Sequence, residues 1–185
     1  LTLAALDVAS LDASSHGALD LGAGGIAGTL AADSHGGDIG QSGALIVGGT
    51  STVDAGAGDI DLADAGNDFG GAVSLIGGSV AISDVNALTL DAFDLESLSA
   101  TSHGGLSLGG GNIAGALVAN SNGGDIDQSG ALVVGGGSAI DAGTGAIALG
   151  HAGNDFGGAV SLAGGAVAVN DINALTLDTL DVASL

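Results

Sequence analysis

The densest side-chain chemistry in this sequence lies in two identical tripeptides, Asn67-Asp68-Phe69 and Asn154-Asp155-Phe156. An amide, a carboxylate and an aromatic ring in succession could form a projecting, ligand-binding loop. They also suit a turn whose Phe fills a widened core while Asn and Asp hydrogen-bond the turn backbone. Phe is the bulkiest side chain present, so the structural turn is the favoured reading. Asn86 and Asn173 precede Ala-Leu-Thr-Leu and are expected to satisfy buried turn backbone.

The other candidate chemistry is weaker. Oxygen ligands are the only charged groups on offer, and they suit calcium. Yet Asp59/Asp61 and Asp125/Asp127 lack the further ligands and closing Glu of an EF-hand loop. Gly150-His151-Ala152-Gly153-Asn154-Asp155 approaches the calcium β-roll motif, but it lacks the second Gly, has Gly157 at the apolar position and is not tandem. No cofactor is expected, and calcium remains a diffuse or interfacial ligand of an acidic surface. His16, His35, His103 and His151 read as polar turn residues. Ser107 lies in a Gly-Leu-Ser-Leu-Gly string that mimics a nucleophile elbow, but its pattern is that of a strand. With no cationic side chain and no Trp or Tyr to hold a sugar, the carboxylates do not suggest a glycosidase. The expectation is a protein that is not an enzyme, with no catalytic, cofactor or metal residues.

Composition narrows the class further. The chain has 185 residues, with 21 acidic side chains (all Asp except Glu96), no Lys or Arg, and a formal charge of −21. It therefore lacks the basic footprint that nucleic-acid phosphates or anionic lipid require. Without Cys it has neither disulfides nor thiolate zinc sites. A hydrophobic content of 46% argues against simple disorder. No apolar run reaches the ~18 residues of a membrane helix. The start at Leu1 suggests a mature piece or a segment of something longer.

The elements that must position these residues are set by an internal repeat. Leu1-Thr2-Leu3 returns at Leu88-Thr89-Leu90 and at Leu175-Thr176-Leu177, an offset of 87. Residues 1–87 and 88–174 agree at 58 of 87 positions, and 175–185 begins a third copy. No linker or composition shift divides them, so 1–185 reads as one continuous array. Turn signals cut the second repeat at 87–104, 105–123, 124–145 and 146–173, pieces of 18, 19, 22 and 28 residues. Pairs such as Leu19/Leu21, Ile60/Leu62 and Leu106/Leu108 sit two apart, the period of a strand with one buried face. Frequent Gly and scarce helix formers disfavour helix. The predicted fold is all-β, a parallel β-solenoid of about four coils per repeat. Its Asp side chains are expected to face outward, with Asp7/Asp94/Asp181 and Asp84/Asp171 forming sparse rows.

The phrases Gly-Asn-Asp-Phe-Gly-Gly-Ala-Val-Ser-Leu (66–75, 153–162), Asp-Xaa-Asn-Ala-Leu-Thr-Leu (84–90, 171–177) and Gln-Ser-Gly-Ala-Leu (41–45, 128–132) resemble the β-strand repeats of filamentous-haemagglutinin-like large exoproteins. These are long bacterial surface or secreted proteins, many of them adhesins exported by two-partner secretion. The resemblance covers essentially the whole chain. It implies a right-handed parallel β-helix in an extracellular rod exported across the outer membrane. The leading expectation is thus a structural segment of a bacterial surface rod or filament, an adhesin stalk or biofilm matrix fibre. Its partners would be further copies of the repeat, in one chain or end to end, and a host or neighbouring-cell surface, with no nucleic acid and no membrane insertion. The alternative is a calcium-dependent acidic binding module for a surface, glycan or receptor.

Overall fold

A computed structural model describes residues 1–184 of the chain. All its regular elements are strands, 22 of them, and every strand pairing is parallel. The chain winds as a β-solenoid of about nine turns, and each turn contributes a rung to three stacks of strands.

Alternation builds the rungs. In Ile60–Leu62 the outer residues are buried and Asp61 is exposed, and Ile147–Leu149 repeats the pattern. Successive side chains of a strand point to opposite faces, so each short strand sends one or two aliphatics inward. The rungs lie in register one above another. Leu19 lies under Ile39, which lies under Ile60 and then Val80. The core is therefore a set of aliphatic columns along the axis, closed to solvent and continuous from Ala13 to Val167. Phe69 and Phe156, 2% and 1% exposed, lie in this core.

The register carries a feature that the repeat length conceals. Ala13, Ala32, Val53, Leu75 and Phe93 lie one above another in one stack. Phe93 is the repeat equivalent of Leu6, which lies in the preceding stack, over which Gly24 and Leu45 are placed. Four rungs thus separate Ala13 from Phe93, and Ala13 is already a third of a turn beyond Leu6. One repeat makes about four and one third turns. The same shift moves Ile147, equivalent to Ile60, onto the stack of Leu88, Leu106 and Ile126.

The extra third corrects the four-piece division. Stacked residues are separated by 17 to 22 positions along the chain, for example Val73 to Leu90 and Ile46 to Asp68. The 28-residue piece is therefore more than one coil. It holds the strand Val160–Val169, whose counterpart is Val73–Asp84. Each of these long strands runs across a corner and lies in two stacks at once: Val73 sits on Ser51 in one and Val80 on Ile60 in the other, as Val160 sits on Ser138 and Val167 on Ile147.

The phase step also corrects the predicted Asp rows. Asp7, Asp94 and Asp181 are exposed, but equivalent positions wind around the rod and do not line up. Asp84 does not face outward at all; it is completely buried. Asp171 is half-buried.

A buried polar joint in each repeat as the candidate functional site

The tripeptides at 67–69 and 154–156 belong to one polar assembly that recurs in both repeats. Asn67 is fully buried. Its Nδ2 donates to the carbonyl of Leu62 at 2.8 Å and to Oε1 of Gln41 at 2.8 Å. Its Oδ1 accepts from Gln41 Nε2 at 2.7 Å and from the backbone N–H of Leu45 at 2.8 Å. Both amide groups of the reciprocal pair are thereby used, and two backbone groups at a corner are satisfied. Asn154 repeats every contact with Leu149, Gln128 and Leu132. An amide buried this deeply is tolerated only when its donors and acceptors are all matched.

The carboxylates complete the joint. Asp84 accepts from the backbone N–H of Phe69 at 2.7 Å and of Asn86 at 2.7 Å. The first of these bonds spans from one coil to the next, a position otherwise served by backbone ladder bonds. Burial pushes the Asp84 carboxyl above the ordinary carboxylate range. The N–H groups of Phe69 and Asn86 oppose that shift, and the neighbouring Asp68 adds to it. Asp171 accepts likewise from Phe156 N–H at 3.0 Å, while its Oδ2 is enclosed without a partner.

Asn86 and Asn173 serve differently from the sequence expectation. Both are exposed, and their Nδ2 groups donate to Oδ1 of Asp68 at 3.1 Å and of Asp155 at 2.9 Å. They cap a half-buried carboxylate on the coil below and do not reach buried backbone. The structure adds Gln41, Gln128, Asp84 and Asp171 to this assembly. A signal was available for the pair: Gln and Asn recur together 26 positions apart in both repeats.

Asp has a general role in the turns. Among the described residues, eleven Asp side chains accept a backbone N–H: Asp20, Asp33, Asp54, Asp61, Asp64 and Asp141 from two residues ahead; Asp38, Asp59 and Asp125 from the coil above; and Asp84 and Asp171 at the joints. Among the described residues no three His, Cys, Asp or Glu side chains gather to hold a metal ion. The surface depressions are open corners, such as the one lined by Asp59, Gly77, Gly78, Asp94 and Glu96. The rings of His16 and His35 stack at 4.3 Å, and His35 Nδ1 lies 3.2 Å from Asp33 Oδ1. Ser107 lies half-buried on the short strand Leu106–Ser107.

The repeat units correspond to a family model described as repeats of unknown function (DUF5649), which matches residues 4–76 and 96–163. The chain belongs to this family. The two matched segments end at equivalent positions, 76 and 163, and together cover most of the sequence. They leave out 77–95, the stretch that carries Asp84 and Asn86 and takes the chain through its phase step. No curated protein and no solved structure matches the chain.

Proposed function

We propose that this chain is a structural repeat segment of an extracellular bacterial rod or filament, used as an adhesin stalk or as a matrix fibre. The observation that carries the reading is continuity. One hydrogen-bonded coil and one aliphatic core run through both repeats, and the buried Asn67, Asp84 and Asn154 side chains serve the backbone. Such a body transmits position and load along its axis, and further copies of the repeat extend it. The resemblance to filamentous-haemagglutinin-like repeats supports the surface location. On this reading the carboxylates are turn caps and not a catalytic pair.

Electron microscopy of the native material, divided between calcium and EDTA, tests the proposal. Thin rods in both halves are expected, with successive strands ~4.8 Å apart along the axis. Compact single particles in both halves would overturn it. Rods that dissolve only in EDTA would replace it with a divalent-bridged acidic assembly.

A further inference from the structure

The strongest unexplained group in the molecule is the buried carboxyl of Asp84. Its place in the fold is specific. The regular coils of the first repeat stack Asp7 under Gly25 and Ile46 under Asp68 through backbone pairing. Above Asp68 this pairing lapses, because the chain enters the next repeat a third of a turn out of phase. The contacts that bridge the gap are Val85 N–H to the carbonyl of Asn67 at 2.7 Å, Asn86 Nδ2 to Asp68, and Phe69 N–H to the Asp84 carboxyl. A side chain has taken over the work of a ladder rung.

We propose that the Asp84 carboxyl is a proton-sensitive pin, which joins successive repeats at their phase step and holds more tightly in mild acid than at neutral pH. Asp171 occupies the equivalent place at the next joint, where its carboxyl accepts from Phe156 N–H and its second oxygen is unpartnered.

Geometry and charge both support this. Asp84 is completely buried, so its charge is held away from water. The charged groups that face it are few. Asp68 lies on the coil below and repels it. His103, on the coil above, donates its backbone N–H to the Asp84 carbonyl at 3.2 Å, and its ring Nδ1 is 3.4 Å from the same oxygen. Lys and Arg are absent from the chain, so neither can neutralise the carboxylate. Two N–H donors favour the charged form, but burial outweighs them. A carboxyl whose folded pKa lies above its unfolded value takes up its proton more readily when folded. Its stabilising contribution is complete below the unfolded pKa of about 3.9 and is lost as pH rises through the folded value.

The test compares thermal unfolding of the 185-residue chain and its D84N variant between pH 4 and 7. Protonation of the exposed carboxylates relieves the same self-repulsion in both, so the difference between the two profiles reports Asp84. The wild type is expected to gain more on acidification than D84N, by about 3 °C. D68N removes the repelling neighbour and should move the extra gain to lower pH. Carbon-13 titration of the wild-type carboxyls provides a readout that needs no variant: the Asp84 resonance should titrate above the exposed Asp set. Parallel profiles for wild type and D84N, or an Asp84 resonance that titrates with or below the exposed set, would overturn the proposal.

Discussion

At the scale of single residues, the solenoid separates polar groups that are matched from those that are not. Asn67 makes four hydrogen bonds in the core, and its loss would strand Gln41, the N–H of Leu45 and the carbonyl of Leu62. Each stranded group costs about 1–3 kcal/mol. Asn67→Ala should therefore lower unfolding stability by roughly 3 kcal/mol or more, read from the denaturant midpoint. Asn86→Ala should cost about 1 kcal/mol or less, because its bond to Asp68 is exposed. Ser51 offers the opposite case. It is 1% exposed, and its hydroxyl has no hydrogen-bond partner; Ser138, its repeat equivalent, is the same. Ser51→Ala should raise the unfolding midpoint, by an amount of order 1 kcal/mol, since a desolvated hydroxyl is exchanged for a methyl of similar shape. A lower midpoint would show that the hydroxyl is in fact satisfied.

At the scale of the element, the corners decide how the strands meet. Gly109 has a φ of +63°, and a Cβ there would overlap the carbonyl oxygen of Asp91 on the coil below. Gly109→Ala should therefore destabilise by roughly 3 kcal/mol, combining left-handed strain with a displaced backbone. Gly25 has open space at the equivalent atom, and the second repeat places Asn112 there. Gly25→Asn should leave the midpoint within about 0.5 kcal/mol of wild type, as surface substitutions usually do. Much of this level was legible in the sequence. Spacing-two pairs such as Ile60/Leu62 marked the strands, and their inward residues are buried. The joint was not legible. An offset of 87 suggested equivalent residues in rows, but whether a coil closes after 18 or 22 residues depends on corner geometry, which hydrophobic period does not report. Asp84 was misplaced for a related reason. Charge alone pointed it outward, whereas strand alternation puts it on the inner face with Val80 and Ile82, where its carboxyl meets the N–H of Phe69.

At the scale of the molecule, the phase step turns a repeat into a screw. Each repeat advances about 21 Å, at a strand spacing of ~4.8 Å, and rotates equivalent surfaces by a third of a turn. Ile76, Asp94, Asn112 and Val133 share one face, three rungs from first to last, whereas Ala163, the equivalent of Ile76, lies on another. The chain has no Cys, so spin labels can be placed cleanly. A label pair at Ile76 and Ala163 should be clearly longer than the ~19 Å of four in-phase strand spacings, and a pair at Ile76 and Val133 should be near ~14 Å. Equal faces for Ile76 and Ala163 would refute the screw. Coiling also concentrates charge. Twenty-one carboxylates over about nine turns give one charge per ~2 Å of axis, close to the ~1.7 Å of duplex DNA. Stretched out at ~3.4 Å per residue, the same chain carries one charge per ~30 Å. Folding must therefore draw in cations, because it brings like charges together, as where Asp33 lies beneath Asp54 in register. The melting temperature should climb with the logarithm of salt concentration, and divalent ions should act at far lower concentration than sodium. Calcium and magnesium should be nearly equivalent, because a diffuse line charge reads valence and not ionic radius. Thermal circular dichroism in the three chlorides decides this: a response to calcium alone would require a built site, and a flat response would mean that the carboxylates are already neutralised within the fold.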